Sequence, residues 1–146
     1  MRILIMGGTR FIGVYLTKIL VKQGHEVVLF NRGNQPAPVP GIKQIHGDRT
    51  DAAQLKEKLS SEKFDAIFDN NGRELGDTQP LVEIFKDRVQ HFIYMSSAGV
   101  YLKSDQLPHV EGDATDPKSR HLGKYDTETY LAEQGLPWTS IRPTYI

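Results

Sequence analysis

The residues best suited to chemistry fall into three groups. In the first, Gly7-Gly8-Thr9-Arg10-Phe11-Ile12-Gly13 places three glycines in seven positions, directly after the apolar run Arg2–Met6. A short apolar run closed by glycines reads as a buried strand that ends in a tight turn. Without Cβ atoms in the way, a phosphate can approach the backbone N–H groups and the positive end of a following helix. Gly13 would let that helix pack closely on the strand. Arg10 breaks the pattern, standing where a G-x-x-G-x-x-G loop carries its middle glycine. Its side chain could crowd a pyrophosphate or neutralise one.

The second group lies at the ends of the next apolar runs. Asn31-Arg32-Gly33 follows Glu26–Phe30. An NAD-binding chain usually places Asp or Glu there, on the ribose 2′-hydroxyl. Arg32 instead offers a guanidinium suited to a 2′-phosphate, so NADP(H) is the expected cofactor in preference to NAD(H). Asp48, in Gly47-Asp48-Arg49, could accept a hydrogen bond from an adenine amino group or shape the turn before the next helix. Asn71, in Asn70-Asn71-Gly72, falls at the carboxyl edge of the expected sheet, where ligands of open α/β folds collect. Arg49, Ser96 and Pro143, each at or just past the end of a strand, complete the expected cofactor contacts.

The third group is the densest basic stretch, Lys118, Arg120, His121 and Lys124. A His–Arg–Lys cluster could grip a phosphodiester or act in its cleavage; it could equally be the solvated entry to a helix. The other histidines, His25, His46, His91 and His109, have no close metal-ligand spacing. Cysteine is absent, which excludes disulfides, thiolate nucleophiles and Cys-based metal sites. No metal site is expected.

These groups need a scaffold that brings strand ends together. After Arg2–Met6, apolar Ile12, Leu16, Ile19 and Leu20 mark one face of a helix over Phe11–Gln23. Further strands are predicted at Glu26–Phe30, Ile42–His46, Ala66–Asp69, His91–Ser96 and Trp138–Arg142. Between them, Asp51 with Gln54 forms a capping-box start to a helix ending at Leu59. Thr78 is expected to cap a helix with Pro80 in its first turn, running to about Lys86. Residues Lys124–Glu133 read as the last helix. Residues Asn31–Gly41, with three prolines and two glycines, and Gly99–Ser119 read as loops. Strands alternating with helices imply right-handed crossovers and a parallel sheet. The expected fold is a Rossmann-type, doubly wound α/β domain over residues 1–146, with six strands in order 3-2-1-4-5-6 and helices on both faces.

Composition narrows the function classes. Lys and Arg together number 18, as do Asp and Glu, so the chain lacks the broad positive footprint of a dedicated nucleic-acid binder. No apolar run approaches the roughly 20 residues of a membrane helix. Met1 leads straight into the first strand without a signal-peptide pattern, so an untargeted chain is expected. The end at Ile146, directly after a strand, suggests a fragment whose substrate domain is absent.

The glycine loop, the run Ser96–Tyr101 and the closing Ile141-Arg142-Pro143 resemble the extended short-chain dehydrogenase/reductase superfamily, which includes sugar-nucleotide epimerases and dehydratases. The resemblance spans essentially the whole chain. Three segments, Gly7–Gly13, Asn70–Glu74 and Lys103–Glu111, look most like an atypical branch: the chloroplast stem-loop RNA-binding proteins and their cyanobacterial relatives. That branch implies RNA binding or endoribonuclease-like activity in the full-length protein. It also implies a location in the chloroplast stroma or a cyanobacterial cytoplasm.

Catalysis in the superfamily, as the resemblance implies, uses a tyrosine acid/base, a lysine four residues later, and a serine or threonine that orients the substrate hydroxyl. Ser97 matches the serine and Lys124 the lysine. The tyrosine position is Arg120, whose guanidinium stays protonated and cannot cycle a proton near neutral pH. Tyr125 is one helical step from Lys124, turned about 100° away; Tyr101 and Tyr130 fit the spacing no better. Three functions follow: a catalytically altered NADP(H)-binding protein that handles RNA, a sugar-nucleotide epimerase or dehydratase with an unusual proton donor, or a non-enzymatic NADP sensor or scaffold. Arg120 favours the first over the second.

Overall fold

The computed structural model describes residues 1–105 and 107–144. Gln106, within the Lys103–Glu111 segment, and Tyr145 and Ile146 at the chain end lie outside the described residues. Six strands form one parallel sheet: β1 (Arg2–Met6), β2 (Glu26–Asn31), β3 (Lys43–His46), β4 (Ala66–Asp69), β5 (His91–Met95) and β6 (Trp138–Ile141). Their order is β3-β2-β1-β4-β5-β6, as the alternating pattern predicts. Ile3 stands beside Val27 on one flank and Ala66 on the other, so β1 is central. A central parallel strand is covered on both faces, and Leu4 and Ile5 are accordingly fully buried.

Four α-helices connect the strands: α1 (Ile12–Lys22), α2 (Ala52–Leu59), α3 (Leu75–Phe85) and α4 (Leu122–Glu133). Helices α2, α3 and α4 supply Leu55, Leu59, Leu81, Phe85 and Leu131 to a core with Leu4, Met6, Val28, Ile67 and Phe92. Helix α1 covers the opposite face, where Leu20 packs with Ile3, Ile5, Val27 and Leu29. The reversal of strand order lies between β1 and β4, and there the carboxyl ends of the strands open a crevice.

Three local expectations change. The buried line of α1 runs through Gly13, Thr17 and Leu20, whereas Ile19 is 54% exposed. Gly13 must abut Gly8, and this close approach rotates the helix so that Ile19 falls outside the stripe. Helix α3 begins one turn earlier than Thr78, after Glu74, because Asp77 Oδ2 accepts from the N–H groups of Arg73 (2.9 Å) and Glu74 (3.3 Å). Pro80 therefore lies inside the helix, and Thr78 is buried rather than capping. The loop after β5 carries a short 3-10 turn, Ala98–Val100, and Tyr101 bridges to Thr115. The predicted start of α2 is found: Asp51 Oδ1 accepts from Gln54 N at 3.1 Å, and Gln54 Nε2 donates to Asp51 Oδ2 at 2.8 Å.

Candidate functional site

The glycine loop occupies the crevice beside the switch point. Gly7 and Gly8 both have positive φ, 96° and 92°, which side-chain-bearing residues rarely adopt. A Cβ on Gly8 would lie 2.6 Å from a Leu29 methyl, and one on Gly13 would lie 2.7 Å from Gly8 Cα. Backbone meets backbone here, so strand and helix approach as closely as a phosphate-binding turn requires. Helix α1 begins at Phe11 with no side-chain cap and no acidic residue in its first turn. The N–H groups of Gly13 and Val14 donate to the Arg10 and Phe11 carbonyls at 3.1 Å, and the positive end of the helix dipole faces the loop. The loop fits a dinucleotide pyrophosphate on this geometry.

A residue that spacing did not single out closes the loop from below. Thr17 is fully buried, and its hydroxyl lies 2.7 Å from the Gly13 carbonyl and 3.3 Å from that of Gly8. It sits four residues past Gly13, one helical turn on, and that spacing is the signal that could have found it. Thr9 and Ile12 are half-buried. Phe11 is 70% exposed at φ 47°, and the Arg10 guanidinium lies 5.0 Å from its ring centre. Arg10 is thus draped outward along the loop rim.

Around this loop stand the other expected contacts. Asn31 ends β2; its side chain accepts from Gly33 N at 2.7 Å and donates to Gln44 Oε1 at 2.9 Å. This fixes the turn that carries the exposed Arg32. Asp48 accepts from the Thr50 backbone N–H (2.9 Å) and hydroxyl (2.8 Å). Those bonds, the backbone one first, hold its carboxyl below the usual range against a slight desolvation, and the nearby Arg32 charge adds to them. Asn71 lies against Gly7, 3.6 Å from the position a Cβ would take there.

Arg49 is directed inward, its side chain only 10% exposed. Its guanidinium donates to Asp69 Oδ1 (2.6 Å) and Oδ2 (2.9 Å), to the Asp77 carbonyl (2.7 Å) and to Asn71 Oδ1. Asp69 also accepts from the Thr78 hydroxyl at 2.7 Å and from Gly72 N at 3.1 Å. Burial pushes the Asp69 carboxyl up, but the Arg49 charge and these hydrogen bonds outweigh it and hold the group below its ordinary value. Neither Asp69 nor Thr78 was among the predicted site residues.

The positions that match the superfamily's catalytic residues are split. Ser97 accepts from Gly99 N at 3.1 Å and so caps the 3-10 turn. Ser96 is buried, with its N–H donating to Ile141 O at 2.8 Å, and Pro143 O accepts from Ala98 N at 2.9 Å. Lys124 Nζ donates to Met95 O (2.6 Å) and Gly72 O (3.0 Å) and lies 5.4 Å from the Tyr94 ring centre. Burial lowers its pKa, with Arg49 and Arg73 adding to the effect and Asp69 opposing it. Arg120, exposed, donates from Nε to His121 Nε2 at 3.1 Å. Tyr94 donates to the same Gly72 carbonyl at 3.2 Å. Burial, with the Asp69 charge, pushes its phenol far above the range of proton transfer at neutral pH. Tyr101 is stacked on His109, with ring centres 4.8 Å apart, and Arg142 lies over its ring at 4.7 Å.

A six-stranded parallel sheet with this loop at its switch point defines a dinucleotide-binding Rossmann domain of the short-chain dehydrogenase and epimerase type. The chain belongs to the NAD(P)H-binding family, whose profile matches residues 7–146. It is a close homologue of the Arabidopsis thaliana chloroplast stem-loop binding protein of 41 kDa b. The two are 52% identical over 159 residues, which cover 99% of this chain and 42% of that protein. A crystal structure of a UDP-glucose 4-epimerase superposes with a TM-score of 0.85 at 24% identity, over 99% of this chain and 51% of that one. The Brucella ovis UDP-glucose 4-epimerase in complex with NAD superposes with a TM-score of 0.85 at 25% identity, over 97% of this chain and 51% of that one. The chain spans about half the length of these relatives. Among the described residues, no helix is long and apolar enough to cross a membrane, and no group of three or more metal-ligating side chains could hold an ion.

Proposed function

We propose that this chain is the NADP(H)-binding part of a short-chain dehydrogenase-like protein that has exchanged hydride chemistry for RNA binding. The carrying observation is the pairing of an intact glycine loop with Arg120 at the position of the catalytic tyrosine. Arg120 donates to His121 and cannot serve as a proton donor and acceptor. Among the described residues, the tyrosine hydroxyl that shares a carbonyl with Lys124, that of Tyr94, is buried and pushed far up. Likeness to a chloroplast stem-loop binding protein supports RNA as the partner and a plastid stroma or cyanobacterial cytoplasm as the location.

Preference for NADP(H) rests on Arg32. It is exposed at the end of β2, in the place where a carboxylate would meet a 2′-hydroxyl and repel a 2′-phosphate. When bound, the cofactor would supply a redox-active nicotinamide. The chain's own residues would hold its pyrophosphate at Gly7–Gly13 and its 2′-phosphate at Arg32.

Calorimetric titration with NADPH and NADH tests the cofactor reading, with tighter NADPH binding expected and equal affinities counting against it. Binding of a labelled stem-loop RNA, measured over a range of salt, tests the RNA reading. Absence of binding at low salt would overturn it.

A further inference from the structure

Helices α3 and α4 begin at the same place. Gly123, in the first turn of α4, stands against the Glu74 carboxylate and the Arg73 carbonyl; a Cβ there would lie 2.8 Å from Arg73 O. Only glycine permits this approach, which brings the positive ends of two helix dipoles to one site. The helices are 11 and 12 residues long. Between their ends lies a cleft of about 400 Å³ lined by Arg73, Glu74, Arg120, His121 and Lys124.

The positive charge of this cleft is only partly compensated. Glu74 is the one carboxylate in its lining. Among the described residues, neither the Arg73 nor the Arg120 guanidinium forms an ion pair. Both side chains are exposed. Burial lowers the His121 pKa, and the charges of Arg120 and Lys124 add to it. His121 Nε2 accepts from Arg120 Nε, which orients the guanidinium and leaves its terminal nitrogens to donate elsewhere. On the inner wall, Lys124 is held by the carbonyls of Met95 and Gly72. Gly72 follows Asn71, the residue packed on Gly7, so the cleft adjoins the dinucleotide loop without occupying it.

The geometry points to a phosphodiester-binding site in this cleft, with Arg73 and Arg120 together clamping one backbone phosphate of an RNA. This rests on the proposal that the protein binds RNA and adds where it does so. Two guanidinium groups suit the two non-bridging oxygens of a phosphodiester better than point charges would. A chain with balanced charge must concentrate its positive potential to bind a polyanion, and this cleft does so. Arg73 is 47 residues before Arg120, a separation that hides the pairing in the sequence.

The experiment compares the intact protein with its Arg73→Gln/Arg120→Gln variant in binding a labelled stem-loop RNA across salt concentrations. Each phosphate contact contributes roughly 0.7–0.9 to the slope of log affinity against log salt. The variant is expected to lose about 0.8 of slope and to bind about fivefold more weakly near physiological salt. Lys56→Gln/Lys86→Gln removes the same charge from exposed positions elsewhere and is expected to leave the slope unchanged. Arg73→Gln alone, altering one exposed side chain, gives about half the effect if the double variant fails to fold. Equal slopes for the cleft variants and the wild type, with RNA still bound, overturn this site and leave the RNA reading standing. No binding of RNA by the wild type overturns both.

Discussion

Asp69, fully buried at the end of β4, holds the Arg49 guanidinium by two hydrogen bonds of 2.6 and 2.9 Å. The pair joins the β3–α2 turn to the end of β4 and, through the Arg49 bond to Asn71, to the residue packed against Gly7. It is therefore a support for the floor of the dinucleotide loop. Breaking a buried pair by removing one partner costs about 3–5 kcal/mol, because the remaining charge is left uncompensated. Asp69→Ala is expected to lose stability of that order in chemical denaturation, and cofactor affinity with it. A loss under about 1 kcal/mol would show that water replaces the carboxylate and that the pair is not a support.

The same pair sets an acid limit. The Asp69 carboxyl is held below its ordinary value in the folded chain, so folding favours the ionised form. Its contribution is complete above the unfolded carboxylate range, near about 3.9, and is lost as pH falls through that range to the lower folded value. Denaturation measured from neutral pH downward is expected to show a stability decline in the wild type that is smaller in Asp69→Asn. Parallel curves for the two proteins would assign the acid limit to other groups, such as Glu128. There burial pushes the carboxyl up, but hydrogen bonds from Arg142 and Ser140 outweigh it and hold the group low.

Much of this was legible in the sequence because it is local. Strand β1, the glycines and α1 are contiguous, and Asp51 with Gln54 caps α2 across three residues. The misreadings have a common cause in distance along the chain. Arg49 meets Asp69 only because the crossover from β3 to β4 returns the chain past the strand ends, and that partner turns Arg49 inward. Thr78 looked like a cap because its target, Asp69, is nine residues away on another element. Ile19 fitted the helical stripe by spacing, yet the contact of Gly13 with Gly8 sets the rotation of α1. Arg73 was not singled out beyond its segment Asn70–Glu74, since its place in one cleft with Arg120 exists only in the packed structure.

Gly13→Ala tests the close approach of α1 and β1. Its Cβ would stand 2.7 Å from Gly8 Cα and 2.8 Å from Gly8 N, both backbone atoms that cannot rotate away. Overpacking of this kind costs about 1–3 kcal/mol, and here the displaced atoms belong to the phosphate loop. A lowered melting temperature and loss of detectable NADPH binding are expected. Gly76→Ala, where a Cβ would meet open space, is the matched control and should alter neither. Retained NADPH affinity in Gly13→Ala would mean that the loop does not carry the pyrophosphate.

Arg32→Asp tests cofactor choice. The substitution replaces the proposed 2′-phosphate partner with a group that repels it while offering an acceptor to a 2′-hydroxyl. A hydrogen bond to a charged group contributes about 1.5–3 kcal/mol, so NADPH affinity is expected to fall by roughly 10- to 100-fold. NADH affinity should hold or rise. Calorimetric titration reads both. Equal losses for the two cofactors would remove Arg32 from the 2′-phosphate site and attribute the effect to the turn fixed by Asn31.

Arg10 poses the sharpest question at the loop, because its chemistry permits opposite outcomes. A long side chain in place of the middle glycine either fills the space of a pyrophosphate or contributes charge to it. Its guanidinium lies over the exposed Phe11 ring, 5.0 Å from the centre, and forms no ion pair among the described residues. That position keeps a cation at the rim, within a flexible side chain's reach of a phosphate placed at the glycine loop. Arg10→Ala is therefore expected to weaken NADPH binding about tenfold, the equivalent of about 1.4 kcal/mol, and to flatten its dependence on salt. Arg10→Lys, which keeps the charge, should recover most of the affinity. Arg10→Gly separates the alternatives: weaker binding, as in Arg10→Ala, confirms the electrostatic role, whereas tighter binding would mean that the wild-type arginine crowds the loop and restrains cofactor affinity.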